Sequence, residues 1–222
     1  AAQMLGGTQE QLEGALADLV ASGRVKKSTW GDTAYLYERH AYESEKYIAT
    51  KLSMLDKLCV RVDVSDIHAL IDREERNHGI AYATLQRQAI FDALGSGVLL
   101  LTGGPGTGKT TVVRALLHIF ESLDLKVALT APTGRAAKRL SESTSHEAKT
   151  IHRLLEMEYG DTDSERGAHF RRDEDNLLDE NVIIIDEASM VGNGLLCSLL
   201  KAVKPGARVI IIGDADQLPS VE

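Results

Sequence analysis

The sequence has few cysteines, no excess of positive charge and no long apolar run, and each absence excludes a class of protein. Cys59 and Cys197 lie far apart and outside any CxxC pair, so that neither a cysteine zinc site nor a disulfide framework is indicated and a reducing cytoplasm is the default. No apolar segment approaches the roughly 18 residues that span a bilayer, and we expect no membrane partner. The formal net charge of -8 repels phosphate, so that any nucleic-acid contact must come from a local patch, a backbone cradle or stacking.

The length and composition are those of an ordinary globular protein. The 222 residues, 43% of them hydrophobic and 26% charged, suffice for one large domain or for one domain with a smaller companion. The chain begins at Ala1 without an initiator methionine or a basic-then-apolar signal, which indicates a cut or processed end.

The pattern of apolar residues changes near Ile80. Before it, helical spacing predicts helices over residues 9–20, 42–58 and 65–77, with two short strands within 24–37. We therefore interpret residues 1–79 as a small, mostly helical, winged-helix-like module whose main role is to brace the rest. Its hairpin carries acidic as well as basic residues, so that the signal for DNA contact is weak.

After Ile80, short apolar, β-branched runs alternate with helical sequence. This alternation predicts an α/β domain over residues 80–222, with a parallel sheet covered on both faces. The predicted strands lie at 98–101, 127–130, 182–185 and 208–212, and a helix follows the first of them at 109–123. We interpret the polar, acidic stretch between Tyr159 and Glu180 as a solvated surface loop.

Residues 103–110 fit the Walker A pattern G-x-x-x-x-G-K-[ST], with a predicted strand before them and a helix after them. Glycines let the backbone come close to phosphate, and the amides of the loop and the helix N-terminus present positive partial charge to it. Lys109 would reach the β- and γ-phosphates, and the Thr110 hydroxyl would ligate Mg²⁺. The alternative is a chance glycine-rich turn. The residues predicted to cradle ATP are Gly104, Pro105, Gly106, Thr107, Gly108, Lys109, Thr110 and Thr111.

Two later strands also end in polar groups. Asp186 and Glu187 follow an isoleucine run, and ligands bind at the carboxyl ends of strands in open α/β sheets. Asp186 would hold the magnesium ion and Glu187 would polarise the attacking water; the alternative is a strand end with solvated acids. Gln217 follows the next strand and, as a neutral donor and acceptor, could sense a γ-phosphate, or belong to a polar loop. The predicted catalytic set is thus Lys109, Glu187 and Gln217, with ATP and Mg²⁺ as ligands.

Five segments, in this order, together resemble the RecD family of superfamily 1 DNA helicases, which are related to the exodeoxyribonuclease V alpha subunit. The segments are 103–111, 130–137, 150–155, 186–191 and 213–221. The resemblance covers about Tyr82 to Glu222 and implies a RecA-like P-loop NTPase domain. The region before Ile80 resembles the N-terminal extension of the stand-alone RecD-like helicases, which implies that RecB and RecC partners are not needed.

The resemblance also implies roles for single residues. Gln86 matches the glutamine that hydrogen-bonds adenine, and the Q-x-x-A spacing favours it over Gln88, although a surface glutamine on a helix would look the same. Five residues match segments that contact single-stranded DNA in similar helicases, where hydroxyls, amides and an arginine suit a sugar-phosphate track. They are Pro132, Thr133, Arg135, Thr150 and His152. The alternatives are a packed or capping role for His152 and a solvated helix face for Arg135 and Lys138.

The resemblance implies an ATP-driven DNA helicase motor that moves 5′ to 3′ and serves DNA repair or recombination. An AAA+ or RecA-like ATPase acting as an assembly switch or loader is the alternative, and a non-enzymatic nucleotide-binding module is a third interpretation. Superfamily 1 motors use a second RecA-like domain, which supplies arginine fingers, and its sequence does not occur before Glu222. We therefore expect a piece of a longer motor, which by itself binds ATP but hydrolyses it poorly.

Overall fold

The computed structural model describes residues 6, 8–159 and 168–214. The chain divides into two compact units, residues 1–49 and 50–222, and the division falls within one long helix. The sequence places the boundary later, near residue 80. The difference arises because a helix that was predicted for the N-terminal module packs into the core of the second unit.

The first unit contains a helix and a β-hairpin, in agreement with the predicted helix and strand pair. Its elements are α1 (Gln9–Ala21), β1 (Val25–Trp30), β2 (Thr33–Glu38) and the first part of α2 (Arg39–Leu58). Thr8 begins α1 with a capping box, in which its hydroxyl accepts from the Gln11 amide at 3.3 Å and its own amide donates to Gln11 Oε1 at 3.0 Å. The hairpin is antiparallel and presents Trp30 to solvent, 83% exposed.

The second unit alternates helices and strands, as the sequence predicts. Its elements after α2 are α3 (Val64–His78), α4 (Thr84–Gly95), β3 (Val98–Thr102), α5 (Lys109–Ser122), β4 (Val127–Ala131), α6 (Gly134–Thr144), β5 (Ala148–Thr150), α7 (Ile151–Leu154), β6 (Met157–Tyr159), β7 (Ala168–Phe170), β8 (Val182–Ile185), a 3₁₀ turn (Ala188–Met190), α8 (Asn193–Ala202) and β9 (Arg208–Gly213).

The main sheet of the second unit is parallel, with the strand order β3-β9-β8-β4-β5 in the described residues. The central strands β8 and β9 are rich in Val and Ile because they are covered on both faces, and every residue of β8 is buried. At the edge of the sheet, β3 leaves Leu100 exposed. The α/β prediction is confirmed. Since β9 lies between β3 and β8, the loop after β3 and the acids after β8 meet at one edge of the sheet, two strands apart.

Helix α3 belongs to the second unit because both its apolar and its charged faces are engaged there. Ile67 and Ile71 are buried in the core that also contains residues of α5. Arg87 on α4 bridges back to α3, with its Nη1 donating to Glu75 Oε2 at 2.6 Å and its Nη2 bonded to Asp72. These bonds raise the pKa of the Arg87 guanidinium, and they tie α3 to α4.

The acidic stretch after Tyr159 differs in part from the loop that we predicted. Strand β7 pairs with β6 in an antiparallel hairpin, and Arg172 Nε donates to Glu156 Oε1 at 2.9 Å. This pairing joins residues about ten positions apart, so that the pattern within either three-residue strand does not predict it.

Both cysteines are buried and free, which agrees with the absence of a predicted disulfide. In the ranges that the structure describes, no helix combines the length and apolar character needed to cross a membrane.

Candidate nucleotide and nucleic-acid site

The loop between β3 and α5 wraps around the ammonium group of Lys109. Lys109 Nζ donates to the backbone carbonyls of Gly103 and Gly104, the latter at 2.9 Å, and Thr107 Oγ1 donates to the Gly104 carbonyl at 2.9 Å. Gly106 and Gly108 have φ of +77° and +85°, a left-handed conformation that favours glycine. The glycines therefore allow the tight path that brings several backbone groups around one lysine.

Helix α5 starts directly from this loop and points its N-terminus into it. Its N-cap is Gly108, without a side-chain hydrogen bond, and the first amides of a helix lack partners within the helix. Pro105, Gly106, Thr107 and Thr110 are exposed. The first turn of α5 thus offers amides, a hydroxyl and positive partial charge to an anion.

Asp186 and Glu187 stand where β8 ends. The Asp186 amide donates to the Thr130 carbonyl at 2.9 Å, which extends the β4–β8 pairing by one residue, and Asp186 Oδ1 accepts from the Glu187 amide at 2.9 Å. Glu187 has a φ of +51° and precedes the 3₁₀ turn. The left-handed backbone conformation costs a residue other than glycine about 1–2 kcal/mol. The surrounding structure must therefore stabilise the sharp turn that the chain makes after β8.

Lys109 in the Walker A loop and Asp186 interact electrostatically. Burial raises the pKa of Asp186, while the hydrogen bond from Glu187 and the positive charge of Lys109 act against that rise. Strands two apart in a sheet lie about 9–10 Å from each other, which is consistent with this coupling. Asp214, at the end of the intervening strand β9, is buried; the sequence assigned it no role. Gln217 lies outside the described residues.

Gln86 and Gln88 occupy different environments, although both lie on α4. Gln86 packs so close to the Walker A loop that a Cβ on Gly108 would collide with its Nε2, and its Oε1 accepts from the Ala83 amide at 3.1 Å. Gln88 instead donates to Asp92 on the exposed side of α4 at 2.8 Å. The structure thus brings Gln86, and not Gln88, next to the Walker A loop.

The two segments predicted to contact DNA end neighbouring strands. Ala131, the last residue of β4, is paired with Thr150, the last residue of β5. Thr133 then caps α6 by accepting from the Ala136 amide at 3.2 Å, and Thr150 caps α7 by accepting from the Arg153 amide at 3.2 Å. Since each hydroxyl serves as an acceptor in its cap, its proton can still be donated to a phosphate oxygen.

The other residues of this edge are largely open to solvent. Pro132 is partly exposed, and Arg135, Lys138 and His152 are exposed. The His152 ring lies 6.0 Å from the Phe170 ring, centroid to centroid. Sequence reasoning missed Phe170 because it lies in the acidic stretch that we interpreted as a loop; an isolated aromatic residue in that stretch was the available signal.

A parallel sheet that carries a Walker A loop after one strand and paired acids after another defines a P-loop nucleotide-binding domain. The AAA domain family matches residues 86–222. This match covers more than half of the chain, and the chain belongs to that family.

Proteins of the RecD family are similar to this chain. The RecBCD enzyme subunit RecD of Mycobacterium tuberculosis is 46% identical over 160 residues, covering 62% of this chain and 27% of the relative. The ATP-dependent RecD2 DNA helicase of Deinococcus radiodurans is 46% identical over 138 residues, covering 62% of this chain and 18% of the relative. These matches confirm the resemblance to the RecD family, and the chain spans about a quarter or less of the length of these relatives.

Among solved structures, one of Pif1 helicases on forked double-stranded DNA is 26% identical, with a TM-score of 0.45, covering 64% of this chain and 36% of that one.

Proposed function

We propose that this chain is an ATP-binding motor domain of a DNA helicase, which couples ATP hydrolysis to movement along single-stranded DNA. The observation that carries the proposal is the convergence of Lys109 and Asp186 at one sheet edge, where the charge of Lys109 acts on the pKa of Asp186. The exposed ends of β4 and β5 lie further along the same edge. Nucleotide and DNA would therefore bind along the same edge of the main sheet.

ATP phosphates would take over the hydrogen bonds that the loop now makes to itself. Lys109 would exchange the Gly103 and Gly104 carbonyls for β- and γ-phosphate oxygens, while the backbone amides of residues 106–111 would surround the β-phosphate. Gln86 lies beside Gly108, and its amide would pair with the adenine edge. Its present bond to the Ala83 amide holds the side chain in place at the start of α4.

The residues at this edge fit a magnesium ion. Asp186 and Thr110 offer carboxylate and hydroxyl oxygens, the ligand type that Mg²⁺ prefers, and burial of the Asp186 charge is unfavourable until a cation offsets it. When bound, Mg²⁺ would neutralise negative charge that develops on the phosphates. Glu187 would orient and deprotonate the attacking water, and we assign Gln217 to sensing the γ-phosphate.

Single-stranded DNA would run along the ends of β4 and β5. Phosphates would be contacted, without any reading of the base sequence, by the Thr133 and Thr150 hydroxyls, the first amides of α6 and the Arg135 guanidinium. Pro132 would pack against the DNA. His152, with Phe170 beside it, would stack on a base. Such contacts suit a motor that must accept every base, and their phosphate part predicts steep salt dependence.

The finer features of the proposal follow the resemblance. We propose 5′ to 3′ movement, a role in DNA repair or recombination, and action without RecB and RecC partners, as in the stand-alone helicases. The relatives include both a RecBCD subunit and a RecD2 helicase at the same identity, so that support for independence from partners comes from the N-terminal region alone.

Nucleotide binding tests the site directly. A fluorescent ATP analogue should bind with Mg²⁺, and Lys109→Ala should weaken binding about 10- to 150-fold, because hydrogen bonds to charged groups contribute about 1.5–3 kcal/mol. Glu187→Gln should bind nearly as tightly as the wild type, since Glu187 acts on water. Equal affinity of the wild type and Lys109→Ala would refute the assignment.

The rate of ATP hydrolysis distinguishes a helicase motor from an assembly switch or loader and from a nucleotide-binding module. ATP hydrolysis stimulated by single-stranded DNA, abolished by Glu187→Gln, is expected of a helicase motor. It should be measured for residues 1–222, from which we expect little turnover, and for a chain that also carries a second RecA-like domain. Nucleotide binding whose turnover is independent of DNA would favour the assembly switch or loader. Binding without any turnover, even in the chain that carries a second RecA-like domain, would favour a nucleotide-binding module.

A further inference from the structure

A carboxylate and two imidazoles converge between α3 and α5, away from the nucleotide edge. Glu74 is 6% exposed, and its Oε1 lies 3.0 Å from His78 Nδ1 and 2.7 Å from His118 Nδ1. The two histidine rings are stacked, with centroids 4.5 Å apart and planes within 10°. His118 Nδ1 is hydrogen-bonded to this buried oxygen, and His78 Nδ1 lies beside it while also contacting the Glu74 backbone carbonyl at 3.3 Å.

The ligand chemistry of this group is that of a transition-metal site. Two imidazoles with one carboxylate suit Zn²⁺, Co²⁺ and Ni²⁺. The three ligand atoms lie within 4.8 Å of one another, and within 6, 8–159 and 168–214 they form the one group of three such residues that meets this criterion. Glu74 and His78 are four residues apart on α3, which puts them on one helix face, and His118 faces them from α5.

Modest adjustment would let these atoms hold an ion. A tetrahedral ion with ligands at about 2.0–2.1 Å keeps them about 3.3 Å apart, so that the distances from Glu74 Oε1 to His78 Nδ1 and His118 Nδ1 must open by about 0.3 and 0.6 Å. The two stacked rings must also turn, because an imidazole binds a metal ion in its own ring plane. The side chains of His78 and His118 are 39% and 33% exposed, which leaves both rings room to move. Each ring would carry its proton on Nε2 when Nδ1 binds the metal.

The charged side chains that surround these three residues largely balance each other. A cleft lined by Arg73, Asn77 and Glu121 reaches the group, so that an ion can enter from solvent and complete its coordination with water. Arg73 and Glu121 carry opposite charges, which offset each other, and Glu121 is itself paired with His146 at 3.0 Å. The carboxylate of Glu74 thus supplies the attraction.

We propose that Glu74, His78 and His118 form a structural site for a divalent transition-metal ion of the zinc type. The ion would fasten α3 to α5, the helix whose N-terminus forms the Walker A site. Because His118 lies nine residues after Lys109, about 14 Å along the helix, the ion would stabilise the domain without taking part in hydrolysis.

The test uses the untagged chain, because a histidine tag binds the same metals. Co²⁺ is titrated and followed by its visible absorption, and thermal unfolding is recorded with Zn²⁺ and with Mg²⁺. The variants are Glu74→Gln, His78→Gln and His118→Gln. The matched control is His68→Gln, which changes an exposed histidine on the same helix.

We expect saturable binding of one Co²⁺ per chain and a rise in Tm with Zn²⁺ but not with Mg²⁺. Each ligand variant should weaken Co²⁺ binding on the order of 10- to 100-fold or more, since loss of a supporting residue alone has that effect; His68→Gln should bind like the wild type. Should Glu74→Gln fold poorly, the more exposed His78→Gln decides the matter. Absence of stoichiometric Co²⁺ binding, or unchanged binding in His78→Gln and His118→Gln, would show a hydrogen-bonded packing cluster and overturn the proposal.

Discussion

Asp186→Asn should make the nucleotide-free protein more stable and at the same time a weaker binder of Mg²⁺-nucleotide. The substitution preserves size, and an asparagine oxygen can still accept the hydrogen bond that the Glu187 amide donates at 2.9 Å. What it removes is the negative charge, whose burial raises the pKa of the wild-type carboxyl. The two expected effects have opposite signs, which distinguishes a functional charge from a structural one.

The stability effect depends on pH with a definite sign. The pKa of Asp186 is higher in the folded state than the ordinary value of about 3.9. The folded wild type therefore binds more protons than the unfolded chain between these two values, and it loses stability as pH rises through its raised pKa. The asparagine variant has no carboxyl at this position and no such transition. The variant and the wild type should thus unfold alike below about pH 4, and the variant should have the higher Tm at pH 7.

The binding effect can be bounded from the charges. Two unit charges 4 Å apart near a protein surface interact by about 4 kcal/mol. If only a third of this survives competition with water, loss of the carboxylate costs about 1.4 kcal/mol, or about tenfold in the Kd of Mg²⁺-ATP. Without Mg²⁺, removal of a negative charge should leave nucleotide affinity unchanged or slightly improve it.

Two measurements check this reasoning. Thermal unfolding of both proteins is followed from pH 4 to pH 8, and nucleotide affinity is titrated with and without Mg²⁺. A wild type that is the more stable protein at pH 7 would show that Asp186 is favourably paired in the folded state. A loss of affinity that does not depend on Mg²⁺ would show that Asp186 is not a magnesium ligand.

The other predictions concern the DNA edge, the core and the hairpin. His152→Ala should weaken binding of single-stranded oligonucleotides about 5- to 150-fold in a fluorescence anisotropy titration, because a stacked base contributes about 1–3 kcal/mol; a His152→Phe variant that loses as much would exclude stacking. Gly97→Ala should lower Tm by about 2–12 °C, because its Cβ would lie 2.5 Å from the Leu55 carbonyl and overpacking costs about 1–3 kcal/mol; an unchanged melting curve would contradict this. Reversing the charges of Arg24, Lys26 and Lys27 should leave the salt dependence of DNA binding unchanged, whereas each lost phosphate contact would reduce its slope by about 1.

Local sequence was sufficient wherever chemistry and conformation depend on neighbouring residues. The Walker A loop needs glycines, a lysine and a helix start in succession, and all of them lie within residues 103–110. Strands β3, β4, β8 and β9 were predictable for a similar reason, since each contains an apolar run within one short segment. Strand β5 (Ala148–Thr150) has no such run and was not predicted. The helical spacing of apolar residues over 9–20 likewise predicted α1, because it lies within one continuous segment.

Contacts between distant segments could not be predicted in this way. Only the strand order shows that β9 separates the Walker A strand from the strand that ends at Asp186, and that β4 and β5 end side by side. The conformation of Glu187 is also a tertiary property, because a left-handed glutamate is unfavourable by itself and is imposed by the packing around it.

The same holds for the boundary of the second unit and for its smaller clusters. Helix α3 looks like any amphipathic helix of the N-terminal region, and only its burial against α5 assigns it to the second unit and brings Glu74 to His118. Phe170 meets His152 across a hairpin whose pairing no local pattern reveals. The Walker A motif and the parallel α/β class could thus be predicted from the sequence, because both depend on short contiguous segments. Strand order, the unit boundary and the side-chain clusters depend on contacts between segments far apart in the chain, which only the folded structure defines.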